Sequence, residues 1–212
     1  MRRPRKRPPA PRSNELPRAA KDGDVEWVTR LLDAGVPVNA LDDDARTALD
    51  LAIEAGHVGM VRLLLAAGAD TAGHAGYYHD LTPLTHAARL GHTAIVEVLL
   101  DAGVPIGPQA GIPYTPLLVA ANDGRAETVA LLLDRGAEID DRSMKGKSAL
   151  EWSACFGQAE VVLQLLGRGA EPTARALGSA RAGAERHPER AGDYARIVDA
   201  LRAAGAPDAG EQ

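Results

Sequence analysis

Residues 82–103, "TPLTHAARLGHTAIVEVLLDAG", decide how this chain folds. Thr82 offers a side-chain oxygen that can cap the first turn of a helix. Pro83 follows at the first helical position, where a missing N–H costs little. The short Ala-rich helix this predicts ends at Gly91, a residue able to adopt the left-handed conformation that stops a helix. A second helix follows, with Ile95, Val96, Val98, Leu99 and Leu100 on one broad apolar face. It ends at Gly103.

The same design recurs along the chain. "LLDAG", "LLAAG", "LLDAG", "LLDRG" and "LLGRG" end at Gly35, Gly68, Gly103, Gly136 and Gly169, spaced 33, 35, 33 and 33 residues apart. Gly23, Gly56, Gly91, Gly124 and Gly157 repeat those spacings. "TALDLA" from Thr47, "TPLTHAA" from Thr82, "TPLLVAA" from Thr115 and "SALEWSA" from Ser148 form a third series. Three registers with one period predict a tandem array of two-helix units joined by projecting turns. The interval between Gly68 and Thr82 is two residues longer than its siblings and contains "AGYYHD", residues 75–80.

These motifs resemble the ankyrin-repeat family, with its T-P-L-H-x-A signature. The resemblance covers roughly residues 16–206. It implies an all-α solenoid of stacked helix–turn–helix units with projecting β-turns or hairpins. The domain is expected over 14–207: an N-terminal cap (14–41), repeats at 42–74, 75–109, 110–142 and 143–172, and a divergent C-terminal cap (173–207) with an insertion, "AGAERHPERAGD". Residues 1–13 are expected to be a disordered basic arm and 208–212 a disordered tail. The signature His is displaced: Thr85 stands in its place and His86 one residue later, so the Thr–His bracing of the family is in question.

Composition narrows the function. Hydrophobic residues make up 45% of the chain but aromatics only 3%, so the core must be Ala, Leu and Val. Cys155 is the single cysteine, which excludes an intramolecular disulfide framework and fits a reducing compartment. No apolar run nears the roughly 20 residues of a membrane span. No apolar stretch follows the basic N-terminus as a signal peptide requires. A cytoplasmic monomer is expected. Ala, Arg and Gly richness suggests a bacterial source.

Charge is uneven. Residues 1–12 hold six basic groups and no acid, while the other 18 Lys and Arg face 29 Asp and Glu, a balance of about −11. The arm reads as a solvated tail; contact with nucleic acid or an acidic partner is the functional alternative.

Catalytic and metal signals are thin. His74, His79, Asp80 and His86 are the candidate ligands, but nothing in their spacing demands convergence. Cys155 has no basic sequence neighbour to activate it. The run Asp42, Asp43, Asp44 reads as a solvated turn. No cofactor, metal or small-molecule substrate is expected. His57 and His92 read as structural, Trp27 and Trp152 as buried.

The resemblance implies that turn tips and first-helix ends face a partner. Those positions carry Arg46 and Glu54 in one repeat, then Tyr78, His79, Leu81 and Arg89 beside Tyr77. The next two carry Ile112, Tyr114, Asn122 and Asp123, then Met144, Lys145, Lys147, Cys155 and Phe156. Aromatic and Met enrichment inside a polar rim is typical of protein-binding surfaces. Tyr77 and Tyr78 either point outward or fold back on the next turn. The expected function is non-enzymatic protein binding. A dedicated inhibitor, immunity or accessory protein of one bacterial enzyme or toxin is the alternative. Metal or nucleic-acid binding is a weaker one.

Overall fold

The computed structural model of the chain describes residues 14–72, 81–109 and 111–208. The basic arm, His74 and "AGYYHD" with Tyr77, Tyr78 and His79 lie outside them. Among the described residues there are twelve α-helices and no strand. They fall into two compact units, one ending at Asp70 and one starting at Thr71. The division lies in the interval that is two residues longer than its siblings.

The first unit contains α1 (Glu15–Asp22), α2 (Val25–Asp33), α3 (Ala48–Glu54) and α4 (Val58–Ala66). α1 packs on α3, and each packs on the helix that follows it. Leu16, Ala20, Val28, Leu31, Leu49, Ile53, Val61 and Leu64 are buried between them. The His57 ring meets the Lys21 carbonyl at 3.0 Å, which gives it the structural role expected of it.

The second unit contains α5 (Pro83–Leu90), α6 (Thr93–Asp101), α7 (Pro116–Asn122), α8 (Ala126–Asp134), α9 (Ala149–Cys155), α10 (Ala159–Gly167), α11 (Ala174–Arg186) and α12 (Ala191–Ala203). The first helices α5, α7, α9 and α11 pack in sequence, and α6, α8, α10 and α12 form the layer behind them. Ala87, Ala88, Ala120, Ala121, Ala154 and Ala180 are fully buried, as close helix approach requires.

Capping explains why each first helix starts where it does. The hydroxyls of Thr47, Thr82, Thr115, Ser148 and Thr173 accept from backbone N–H groups three residues on. Asp50, Thr85 and Glu151 return the bond to the cap residue's N–H, completing a capping box. Thr85 therefore does take over the bracing: its hydroxyl lies 2.6 Å from that of Thr82. Leu118, in the same register, cannot.

A second tie links consecutive repeats. Arg125 Nε donates to the Arg89 carbonyl at 3.0 Å, and Gln158 Nε2 to the Asn122 carbonyl at 3.0 Å. Arg190 does the same with both guanidinium nitrogens, to the Phe156 and Gly157 carbonyls at 2.7 Å each. Gly91 serves this contact twice. Its φ is +78°, and a Cβ there would lie 2.7 Å from Arg125 Cδ.

The C-terminal insertion is absorbed by longer helices. α11 and α12 run 13 residues each, against 7–9 in the other repeats, and a 3-10 turn (Pro188–Arg190) joins them.

Two tryptophans depart from expectation. Trp27 is 38% exposed. Its register partners Thr128 and Val161 are buried, in helices packed on a preceding second helix. α2 has none before it among the described residues, so the indole stays open beside the Arg30 guanidinium, 5.7 Å from the ring centroid. Trp152 is half-buried, because its ring is too large for a register filled elsewhere by Leu51, His86 and Val119.

Ala45 is the one non-glycine at positive φ among the described residues, at 58°. The equivalent Gly146 has φ 68°. A left-handed alanine costs about 1–2 kcal/mol, partly offset by the greater chain entropy glycine loses on folding. Ala45→Gly is therefore expected to raise stability by roughly 0.5–1 kcal/mol in urea denaturation. An unchanged or lower midpoint would contradict the strained turn.

Candidate partner-binding groove

An apolar depression of the second unit lies over α7 and α9. Its walls are Leu81, Tyr114, Leu118, Val119 and Trp152, with Arg89, Asn122 and Asp123 at its polar end, and its volume is about 270 Å³. That falls below the roughly 300–1,000 Å³ of typical small-molecule sites.

Two rings line it, and a third, that of Phe156, stacks on one of them. Tyr114 meets Trp152 edge-on at 6.3 Å between centroids, and Phe156 stacks on Trp152 at 5.9 Å with 17° between planes. Trp152 is held in place by its Nε1–H, which donates to Ser143 Oγ at 3.3 Å. Lys147 Nζ lies 4.6 Å from the Trp152 ring centroid, within cation–π range. Met144, at the adjoining turn tip, is 81% exposed, and Phe156 40%.

The structure therefore brings Arg89, Tyr114, Asn122 and Asp123 together in the lining of one groove, with Lys147 and Phe156 packed on its Trp152 wall. It also moves some expected residues. Leu81 is 7% exposed rather than a surface anchor. It precedes the Thr82 cap, where an apolar side chain closes over the first helical turn, and it forms a groove wall. Arg46 is half-buried and tied into its own turn. Its Nε donates to Asp42 Oδ2 at 3.1 Å, and its guanidinium also reaches Asp44 and Glu54. The Asp42 run is thus an internally bonded turn instead of a merely solvated one. Burial opposes ionisation of Asp42, but hydrogen bonds from Arg46 and the Asp44 amide outweigh it and hold its pKa below the ordinary value. Ile112 is half-buried and Lys145 exposed.

Trp152 is the groove residue that the sequence reading placed in the core. The cations around Cys155 were missed as well. Lys147 Nζ lies 4.0 Å and Arg186 Nη2 3.5 Å from its Sγ, contributed from residues 8 and 31 positions away. No sequence neighbour signals either.

His86 is buried in α5. Desolvation, with smaller contributions from the Arg89 and His92 charges, lowers its pKa to about 4. Among the described residues no three His, Cys, Asp or Glu side chains are arranged to hold a metal ion. Among them also, no helix is long and apolar enough to cross a membrane.

Helix–turn–helix units in one register, two layers deep, with caps and glycines at a fixed period, define an all-α repeat protein. The chain belongs to the ankyrin-repeat family, whose model of ankyrin repeats in three copies matches residues 16–110 and 108–176. Among solved structures it is similar to the human ASB11 ankyrin repeat domain. Identity is 25%, with a TM-score of 0.77 over 91% of this chain and 84% of that one. Two curated proteins share short segments. Acyl-CoA-binding domain-containing protein 2 of Arabidopsis thaliana is 39% identical over 51 residues, 24% of this chain. L-asparaginase of Dirofilaria immitis is 44% identical over 50 residues, also 24% of this chain. The chain spans only 14% and 8% of the length of these relatives. Ankyrin repeats are generally protein–protein interaction modules.

Proposed function

We propose that the chain is a non-enzymatic interaction module that holds a folded protein partner against the Tyr114–Trp152–Phe156 groove and the neighbouring turn 143–147. The observation that supports this best is the ring ladder. Three of the few aromatics in a chain with 3% aromatic content form one ladder, two of them lining an apolar depression, and Met144 is exposed at the turn 143–147. Burying such side chains is a costly choice for a monomer to forgo and a source of affinity for a complex. Helices capped and tied to their neighbours hold these groups in place, so little entropy is lost on binding.

Phe156→Ala and Tyr114→Ala test the reading. Each is expected to shift stability by no more than about 1 kcal/mol, since both side chains are part-exposed. Together they are expected to deplete at least one protein retained by the native chain in affinity capture from its source. One dominant lost partner would make the chain a dedicated inhibitor or accessory; several would make it a scaffold. Identical retained sets for native and variant chains would reject this surface.

A further inference from the structure

Two turns in this chain have the same backbone design and opposite chemistry. In turn 42–46, Asp42 N–H donates to the Arg46 carbonyl at 2.9 Å. In turn 143–147, Ser143 N–H donates to the Lys147 carbonyl at 2.9 Å. The first side chain of each turn then accepts from the last N–H: Asp42 Oδ1 from Arg46 at 2.8 Å, Ser143 Oγ from Lys147 at 3.3 Å. Each has a left-handed fourth residue, Ala45 or Gly146. The fold therefore constrains the first and fourth positions. It leaves the second and third open, and these are Asp43 and Asp44 in one turn, Met144 and Lys145 in the other.

The second turn gathers cations on its Gly146 carbonyl, one from just before it and one from further along the chain. Arg142 and Arg175 both donate to the Gly146 carbonyl at 3.1 Å and sit within 3.5 and 3.7 Å of the buried Glu151 carboxylate. Glu151 offsets one of those two charges. Lys147 and Arg186 add two more at Cys155, Lys147 also lying over the Trp152 wall, and Lys145 adds one at the exposed turn tip, against a single acid, Asp123, in the groove lining.

We infer that this groove and turn take an extended acidic peptide segment carrying an apolar side chain, with carboxylates against Lys145, Lys147 and Arg186 and the apolar group in the cavity floored by Leu118, Val119 and Trp152. This rests on the interaction reading above and specifies its partner's chemistry. Charge complementarity selects the acidic segment. The cavity selects a single aliphatic anchor, since its apolar walls are Leu81, Leu118, Val119 and the rings of Tyr114 and Trp152 and its volume is small. Trp152 is already stacked by Phe156 and covered by Lys147, so the ladder presents no open indole platform for a nucleic-acid base.

The test uses the full chain and a fluorescein-labelled peptide of alternating glutamate and leucine, read by anisotropy. Saturable binding is expected, weakening as salt is added. Replacing the leucines with serine is expected to weaken it at least about tenfold, as one lost buried apolar anchor would. The double variant Lys145→Glu/Lys147→Glu, checked for an unchanged melting curve, is expected to do the same. Met144→Ala, which removes no charge and little packing, supplies a second variant and is expected to weaken binding several-fold. Binding that survives the double reversal, which would place it on the basic residues 2–12, overturns the proposal. So does equal binding of the serine peptide, or tighter binding of a single-stranded oligonucleotide. A lysine–leucine peptide bound in preference and lost with Phe156→Ala would overturn the acidic assignment while leaving the interaction reading intact. That reading fails only on its own capture experiment.

Discussion

Replacing Gly183 with alanine is expected to destabilise the second unit by about 2–3 kcal/mol, although alanine is the better helix former by about 1 kcal/mol. Gly183 lies inside α11, where an added Cβ would come 2.4 Å from Tyr194 Cε1, 2.7 Å from Tyr194 Cζ and 2.9 Å from the Cys155 carbonyl oxygen. None of these can yield easily. Tyr194 is 1% exposed, and its hydroxyl donates to that same carbonyl at 3.1 Å. The carbonyl ends α9. One methyl group would therefore pry α11 from both α9 and α12. Urea denaturation measures the cost. Tyr194→Phe is expected to lose only about 1 kcal/mol, the hydroxyl's bond. Gly183→Ala introduced into a Tyr194→Ala background is expected to cost much less than in the native chain, because the ring it meets is gone. A native-background Gly183→Ala that unfolds at or above the native midpoint would show that these helices do not approach so closely.

Acid is expected to weaken the second unit through His86. The group is 3% exposed, and its folded pKa lies near 4 against an ordinary value of 6.5. Desolvation comes first among the causes, then the Arg89 and His92 charges. The sign follows from proton uptake: between those two values the unfolded chain binds a proton that the folded chain refuses. The contribution is fully present above about pH 6.5, declines as pH falls, and is exhausted below about pH 4, for a total of about 3 kcal/mol. His86→Leu is expected to remove this slope, since Leu51 fills the equivalent register in the first unit. The difference between native and variant midpoints, near pH 7.5 and near pH 5, isolates the effect. The subtraction matters because Asp50 acts in the opposite direction: burial raises its pKa, and acid relieves that cost. Parallel pH profiles for the two proteins would remove His86 as the acid-sensitive group.

Much of the fold was legible because its determinants are local. Thr82 caps and Pro83 starts a helix through contacts within four residues, and Gly91 stops it through its own φ. Repetition at one period did the rest. The candidate groove was legible only in part. Tyr114, Met144, Lys147 and Phe156 could be placed by register, since every repeat presents the same positions outward. Leu81 and Trp152 both end as groove walls, Leu81 more buried and Trp152 more open than register implies. Leu81 stands before a helix cap as Tyr114 and Lys147 do, but its shorter aliphatic side chain is buried where theirs are part-exposed. Trp152 takes a core register that cannot hold an indole. Trp27 is open because a terminal repeat has no earlier second helix among the described residues to cover it.

Local chemistry alone thus determined the number, type and order of the helices, and the repeat class they build. Those depend on capping, backbone conformation and apolar period, which are properties of neighbours in the chain. Packing between repeats decided what the surface can do. It set Arg186 and Lys147 beside Cys155, drew Arg142 and Arg175 onto one carbonyl, and joined three rings in a ladder whose Tyr114 and Trp152 line a cavity. Arg186, Arg175 and Tyr114 reach these contacts from other repeats, at distances set by helix packing, so no local pattern could have announced them.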